Sequence, residues 1–422
     1  MRKVAVNIAR LLLALTFILS GFVKAVDPLG TQYKISDYLD AMHLGQLVPD
    51  FLVLILSVAL SAIEFVIGIC LLFAIRRRLV TRLTIIIMIV MTLLTLWLAL
   101  TNPISDCGCF GDAVVLTNWQ TFWKNVILLL AAAVVSRWPL DMPRIISKSS
   151  QWIVLNYTVL FILFISTYCL YDLPMFDFRP YHVGANIKEG MEMPEGAQQP
   201  QFETTFILEK DGECREFTAE DYPDSTWTFI DSKTVQTAEG YVPPIHDFAI
   251  LSDEGEDMTD EVLTHKGYTM LLISPHLEDA DDSQLDRINQ VYEYCQDNGY
   301  PFYCLTASTE RAISRWSDIT GAEYPFCATD ETTLKTIIRS NPGLLLLKEG
   351  TVIRKWSHNS LPDDSQLTLP LEKSALGQMP PDSVPGKIAW LLMWFVLPLA
   401  VLTAADRLWA WTKWIRIRKK KR

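Results

Sequence analysis

The stretch FLVLILSVALSAIEFVIGICLLFAI, residues 51–75, decides the fold class of this chain. Glu64 is its only charged side chain. The hydrocarbon core of a bilayer requires roughly 17–25 predominantly apolar residues per helix. Backbone groups inside lipid must also be hydrogen-bonded within the segment itself, which favours a helix. Residues 51–75 are therefore predicted to span a membrane.

Five further apolar runs have a similar length, at residues 8–25, 83–100, 119–136, 152–171 and 388–405. Half of the 422 residues are hydrophobic, too many for one soluble domain of this size. A cleaved signal peptide is the competing interpretation of the first run, because Arg2 and Lys3 precede it. No small-residue cleavage site follows at residues 24–28, so the sequence predicts six spans.

Charge is distributed unevenly along the chain. Residues 174–384 contain 15 Lys and Arg against 38 Asp and Glu, a net charge of −23, and the remainder carries 22 against 10, or +12. The basic residues cluster in alternate loops, at positions 2–10, 76–82, 137–148 and 413–422. Because cytoplasmic loops collect Lys and Arg, both termini are predicted to be cytoplasmic, with the acidic region periplasmic to a bacterial inner membrane.

The basic C-terminal tail raises the question of nucleic-acid binding. Directly after an apolar span, such a tail is more typical of a topological anchor that contacts lipid headgroups. We therefore expect the lipid bilayer, and no nucleic acid, as a partner.

The domain organisation follows from these patterns. We predict a four-helix bundle at 1–137, a fifth span at 152–172, a linker with a small β-rich segment at 175–244, an α/β domain at 245–362, a sixth span at 386–406 and a cytoplasmic tail at 407–422. Within the α/β domain, strands are predicted at 246–251, 268–273, 302–305, 344–347 and 352–356, and helices at 283–297, 310–319 and 332–338. Two more strands, 202–209 and 213–217, would flank a turn at Asp211-Gly212.

A short motif after the third span has the form of a redox site, Asp106-Cys107-Gly108-Cys109-Phe110-Gly111-Asp112. Two thiols separated by one residue form a small, strained disulfide, and strained disulfides exchange readily. A purely structural disulfide is an alternative, and half of a soft metal site is another, although no His or further Cys is nearby. Asp106 and Asp112 are expected to raise the pKa of both thiols.

Together with Ser20-Gly21-Phe22-Val23-Lys24 at the end of the first span, this motif resembles the DoxX/MauE family of membrane proteins. The resemblance covers residues 1–136 and implies a four-helix membrane bundle with a role in thiol or electron transfer. The layout is similar to that of quinone-linked disulfide oxidases, which makes a quinone the candidate cofactor by analogy.

Glu64 lies in the middle of its predicted span. An ionisable group at that depth is costly, so we expect a function as a proton relay or a quinone contact, with Lys24 as its partner. A neutral Glu64 hydrogen-bonded between helices is the alternative.

The α/β domain resembles thioredoxin-like proteins of the TlpA and peroxiredoxin type. The resemblance rests on residues 248–255, on Tyr324-Pro325-Phe326 and on Asn341-Pro342-Gly343, and it implies a cis-proline at Pro342. The family's Cys-x-x-Cys is replaced by the segment Ser274-Pro275-His276-Leu277-Glu278-Asp279, so its usual activity should be absent. Cys304 and Cys327 could form a relocated redox pair, or could be two buried thiols.

Two functions are compatible with these features. The first is a membrane thiol–disulfide or electron-transfer component that uses Cys107 and Cys109 and has an extracytoplasmic thiol protein as its partner. The second is a non-catalytic scaffold whose acidic domain recruits a periplasmic partner. Whether the disulfide exchanges distinguishes the two.

Overall fold

The computed structural model describes residues 1–104, 106–194, 196, 201–210, 213–218, 228–238, 240–381 and 384–420. Within this part of the chain, six helices are long and apolar enough to cross a membrane. They are α1 (Arg2–Val26), α3 (Asp50–Phe73), α4 (Arg77–Thr101), α5 (Asn118–Arg137), α6 (Gln151–Tyr171) and a last helix in two parts, α12 (Val384–Leu391) and α13 (Leu397–Lys420), joined by a π-turn at Leu392–Val396. The prediction of a six-span membrane bundle is confirmed.

A further helix, α2 (Pro28–Ala41), follows α1 directly. Asp27 caps it by accepting a hydrogen bond from the Gly30 amide at 2.9 Å, and Pro28 occupies the first helical position. These are the residues expected at a helix start. No element was predicted for this region, because α2 is largely polar and contains no apolar run.

The two ends of the bundle carry different contacts. At one end, α2 and the motif at residues 106–112, here called the cysteine loop, lie beside the α/β region. At the other end, Arg2 pairs with Asp141 at 2.7 Å, and the Ser147 amide donates to Asp406 of α13 at 2.8 Å. The start of the first helix and the last helix therefore meet the loop between α5 and α6 at the end remote from the cysteines.

The α/β region contains a sheet of five strands, β4 (Tyr268–Ser274), β5 (Phe302–Thr306), β6 (Phe326–Ala328), β7 (Gly343–Lys348) and β8 (Thr351–Ser357). Their order in the sheet is β6-β5-β4-β7-β8. Strands β4, β5 and β6 are parallel, β7 is antiparallel to β4, and β8 is antiparallel to β7. This is a thioredoxin-like arrangement, as predicted. The helices around the sheet are α8 (Thr259–Thr264), α9 (Leu285–Asn298), α10 (Glu310–Thr320) and α11 (Glu331–Ile337).

Residues 246–251 do not form the predicted strand. Only Leu251 pairs there, through isolated bridges to Ala328 and Asp257. The segment lies at the edge of the sheet beside β6, where a three-residue strand offers few hydrogen-bonding partners.

A second sheet precedes the α/β region. It has three antiparallel strands in the order β2-β1-β3, namely β1 (Gln201–Lys210), β2 (Glu213–Thr218) and β3 (Thr228–Ala238), and a short helix α7 (Ile187–Met191) comes before it. The first two strands were predicted, and the turn proposed between them lies outside the described residues. The third was missed because its sequence is mostly polar.

Candidate functional site

The site is built on a close crossing of α1 and α3. A Cβ atom on Gly21 would lie 2.4 Å from the Phe65 nitrogen, and one on Gly68 would lie 2.7 Å from the Ile18 nitrogen. Larger residues at either glycine would force the two helices apart, since real Cβ atoms do not approach backbone this closely. The crossing places Ser20 and Lys24 of α1 against Glu64 of α3.

Lys24 and Glu64 form a buried ion pair. The Lys24 Nζ atom lies 2.8 and 2.9 Å from the two carboxylate oxygens, and the side chains are only 6% and 7% exposed. Ser20 Oγ lies 2.8 Å from Glu64 Oε2 and 2.6 Å from the Cys109 carbonyl oxygen. A hydroxyl has one proton for these two acceptors. Ser20 therefore connects the ion pair to the cysteine loop.

The cysteine loop holds its two free thiols in contact, with Cys107 Sγ 2.9 Å from Cys109 Sγ. Gly108 between them has φ +64°, a conformation that favours glycine. The loop is supported by α2, because the Tyr38 hydroxyl donates to the Cys107 carbonyl at 2.9 Å and Lys34 pairs with Asp106 at 3.0 Å. Helix and loop together fix the geometry of the pair.

The two thiols ionise differently. The hydrogen bond from Cys107 lowers the pKa of Cys109 to about 6; burial opposes this effect, and the ammonium groups of Lys124 and Lys24 reinforce it. The same hydrogen bond, together with burial, raises the pKa of Cys107. The expectation that neighbouring aspartates would raise both values is wrong for Cys109, because the hydrogen bond and two nearby ammonium groups lower its pKa despite burial and the Glu64 carboxylate. Cys109 is therefore the more acidic thiol of the pair.

Lys124 lies in the fourth apolar run and was given no function from the sequence. In the structure its Nζ atom lies 4.4 Å from the centre of the Phe110 ring. Its positive charge helps to lower the pKa of Cys109. Because a charged residue inside an apolar run is costly, the argument applied to Glu64 could have identified Lys124 as a candidate functional residue as well.

Two cavities adjoin the cysteines. The larger has a volume of about 240 Å³ and is lined by both thiol residues, with most of its exposed lining apolar. Its charged and polar lining groups are Lys24, Asp27, Thr31, Lys34, Tyr38, Asp106, Asp112 and Arg179. The smaller, of about 40 Å³, is lined by Cys109, Glu64 and Lys124 among others. Cys109 and Lys24 of the buried ion pair thus line both cavities.

The position of the missing Cys-x-x-Cys is filled by a hydrogen-bond network. Ser274 Oγ donates to Asn341 Oδ1 at 2.6 Å, and Asn341 Nδ2 donates to the His276 carbonyl at 2.8 Å. The peptide bond between Asn341 and Pro342 is cis. This segment fixes the loop before β7 and presents no thiol.

Cys304 and Cys327 lie on adjacent strands but on opposite faces of the sheet. Cys304 pairs in register with Phe326 and Cys327 with Leu305, so the two side chains alternate. Cys304 belongs to the apolar cluster of α9 and α10, and Cys327 to that of α8 and α11. Burial raises the pKa of both, that of Cys327 to about 11. The structure does not bring them together, so the relocated redox pair was a wrong hypothesis and the alternative of two buried thiols fits.

A metal site was the third interpretation of the cysteine motif. Among the described residues, no group of three or more His, Cys, Asp or Glu side chains is placed to hold a metal ion.

Comparison with known proteins gives partial matches. The chain resembles the solution structure of a candidate protein disulfide isomerase from Bacteroides thetaiotaomicron at 17% identity and a TM-score of 0.22, over 27% of this chain and 76% of that one. No curated protein matches. Residues 202–239 match a family described as a domain of unknown function. Residues 2–137, which include Ser20, Lys24, Glu64 and both thiols of the cysteine loop, match the membrane family described as methylamine utilisation protein MauE.

Proposed function

We propose that the protein is a membrane-embedded thiol–disulfide exchange component in which Cys107 and Cys109 are the reacting pair. The observation that carries this proposal is the geometry of the pair, two thiols 2.9 Å apart at the wall of a cavity. The hydrogen bond from Cys107, together with Lys124 and Lys24, lowers the pKa of Cys109 to about 6. A structural disulfide needs no such cationic surroundings. A low pKa makes Cys109 a good leaving group when a partner thiol attacks the disulfide at Cys107.

The exchange is balanced as follows. A partner dithiol reduces the Cys107–Cys109 disulfide through a mixed disulfide at Cys107, and the partner leaves with a disulfide of its own. The reduced pair then passes two electrons and two protons to an acceptor and closes again. We propose a quinone as this acceptor, because the 240 Å³ cavity beside the thiols has mainly apolar lining and lies among helices long enough to span a membrane.

Glu64 and Lys24 are proposed as the proton carriers of this reaction. Both are buried, and Ser20 links Glu64 to the backbone of Cys109. Both members of the pair line the smaller cavity with Cys109, so a proton released there lies within their reach. A direct contact between this pair and the quinone ring is the other proposed role.

The proposed location is a bacterial inner membrane, with both termini in the cytoplasm and the cysteine loop and α/β region in the periplasm. The support is the distribution of basic residues over alternate loops. An oxidising compartment would permit the thiol exchange.

A mixed-disulfide trap tests the proposal. In a Cys109→Ala variant, the Cys107 thiol can still attack the disulfide of an oxidised partner, which is the reverse of the proposed exchange. The mixed disulfide then lacks Cys109 to resolve it, so the partner should remain attached and be recovered by reducing the complex. The Cys107→Ala variant serves as the matched control and should capture less. No partner on either variant, with both present at normal levels in the membrane, would favour the scaffold function.

A further inference from the structure

The face of the α/β region that carries the cis-proline contacts the membrane bundle. Arg339, three residues before Pro342, has a side chain only 7% exposed. Its Nε atom lies 3.1 and 3.0 Å from the two carboxylate oxygens of Asp27, and a terminal nitrogen lies 3.4 Å from Asp112. The guanidinium is also 5.3 Å from the centre of the Tyr33 ring. Arg339 thus joins the loop before β7 to α2 and to the cysteine loop.

Neighbouring residues extend this contact. Lys335 on α11 lies 5.0 Å from the centre of the same Tyr33 ring, and it pairs with Glu331. Glu331 in turn pairs with His276 at 3.0 Å, in the segment that replaces Cys-x-x-Cys. The face that would hold a redox thiol in a thioredoxin is therefore turned toward the bundle.

The electrostatics depend on Arg339. Burial alone would lower the pKa of this guanidinium, but Asp27 and Asp112 raise it overall. Burial raises the pKa of Asp112, and Arg339 acts against that effect. Asp112 lies three residues after Cys109. Arg339 is accordingly the counter-charge for two carboxyl groups that line the same cavity as the thiol pair, Asp27, which is 21% exposed, and Asp112, which is 48% exposed.

We infer that the thioredoxin-like region is an intramolecular partner of the cysteine loop, and that Arg339 is a positioning residue that sets the redox equilibrium of Cys107 and Cys109. This inference rests on the thiol exchange proposed above and names the residue that adjusts it. The α/β region then contributes a fixed charge in place of a thiol.

Two effects of removing Arg339 act in the same direction. Without its cation, Asp27 and Asp112 disfavour the thiolate, which destabilises the reduced pair. Without its contacts, the cysteine loop is less constrained, which relaxes the tight disulfide ring. Both changes favour the disulfide, so a stronger reductant should be needed.

The test is an alkylation-shift titration of the full-length protein in membranes equilibrated with reduced and oxidised dithiothreitol. Half-reduction of the Arg339→Gln variant should require a roughly three- to tenfold higher ratio of reduced to oxidised dithiothreitol than the wild type. Arg339→Lys keeps the charge, so its half-reduction ratio should lie between those of the wild type and Arg339→Gln. Arg354→Gln is the matched control, because Arg354 binds the Leu376 and Ala375 carbonyls on another face, and it should equal the wild type.

Equal ratios for Arg339→Gln and the wild type would overturn the inference. If Arg339→Gln does not accumulate in membranes, a second neutral variant, Arg339→Met, decides, and a wild-type ratio there overturns the inference as well. A wild-type pair that fails to interconvert at any ratio would instead reject the proposed thiol exchange. A normal wild-type titration with an unshifted Arg339 variant rejects only the role of Arg339.

Discussion

The buried pair of Lys24 and Glu64 should couple strongly in a double-mutant cycle. Glu64→Gln leaves an ammonium group buried without a counter-charge, and Lys24→Met leaves a carboxylate in the same state, since both side chains are under a tenth exposed. Breaking a buried pair from one side costs about 3 to 5 kcal/mol of unfolding free energy. Removing both charges avoids the unpaired state, so the double variant should remain within about 1 to 2 kcal/mol of the wild type.

Equilibrium unfolding in mixed detergent micelles would measure the three variants, and thiol exchange would be assayed in parallel. The double variant should recover its stability and still lose exchange, because no proton carrier remains beside Ser20. If the stability losses of the two single variants simply add in the double variant, the ion pair is not energetically coupled and the reasoning is refuted. Full exchange in the double variant would reject the proton-carrier role alone.

Three other predictions follow from the site. In the reduced protein, the rate of alkylation at Cys109 should fall as the pH drops through about 6, since only the thiolate reacts; a midpoint above 8 would contradict this. Gly21→Ala should reduce thermal stability because of the helix crossing, whereas Gly386→Ala, whose added Cβ meets no atom within 4 Å, should not. A membrane-impermeant thiol reagent should label Val115→Cys but not Ser149→Cys in intact spheroplasts, and the reverse pattern would invert the topology.

Much of the fold was predictable because membrane helices depend on local composition. The long apolar runs give the six long helices, and the short apolar runs give strands β4, β5, β7 and β8 of the α/β region with boundaries shifted by at most one residue. The failures lie where local pattern is weak. Residues 246–251 pair only at Leu251, and the polar helix α2 has a clear N-cap at Asp27 but no apolar run.

The site was predictable only in part. Glu64 and Lys24 could be paired from the sequence because each is a rare charge in or beside an apolar span. The lowered pKa of Cys109 could not be predicted from the sequence. It depends on Lys124 of α5 and on which of the two thiols donates the hydrogen bond. Nor could the role of Asp112, whose partner Arg339 is 227 residues away in the chain.

The most direct test of the account is the redox titration of wild-type Cys107 and Cys109 in native membranes, read by alkylation shift. We expect the pair to pass reversibly between dithiol and disulfide, at ratios of reduced to oxidised dithiothreitol that also reduce glutathione-like disulfides. A pair that stays oxidised under those conditions, or two thiols that no oxidant closes, would contradict thiol exchange and leave the cysteine loop as a structural element.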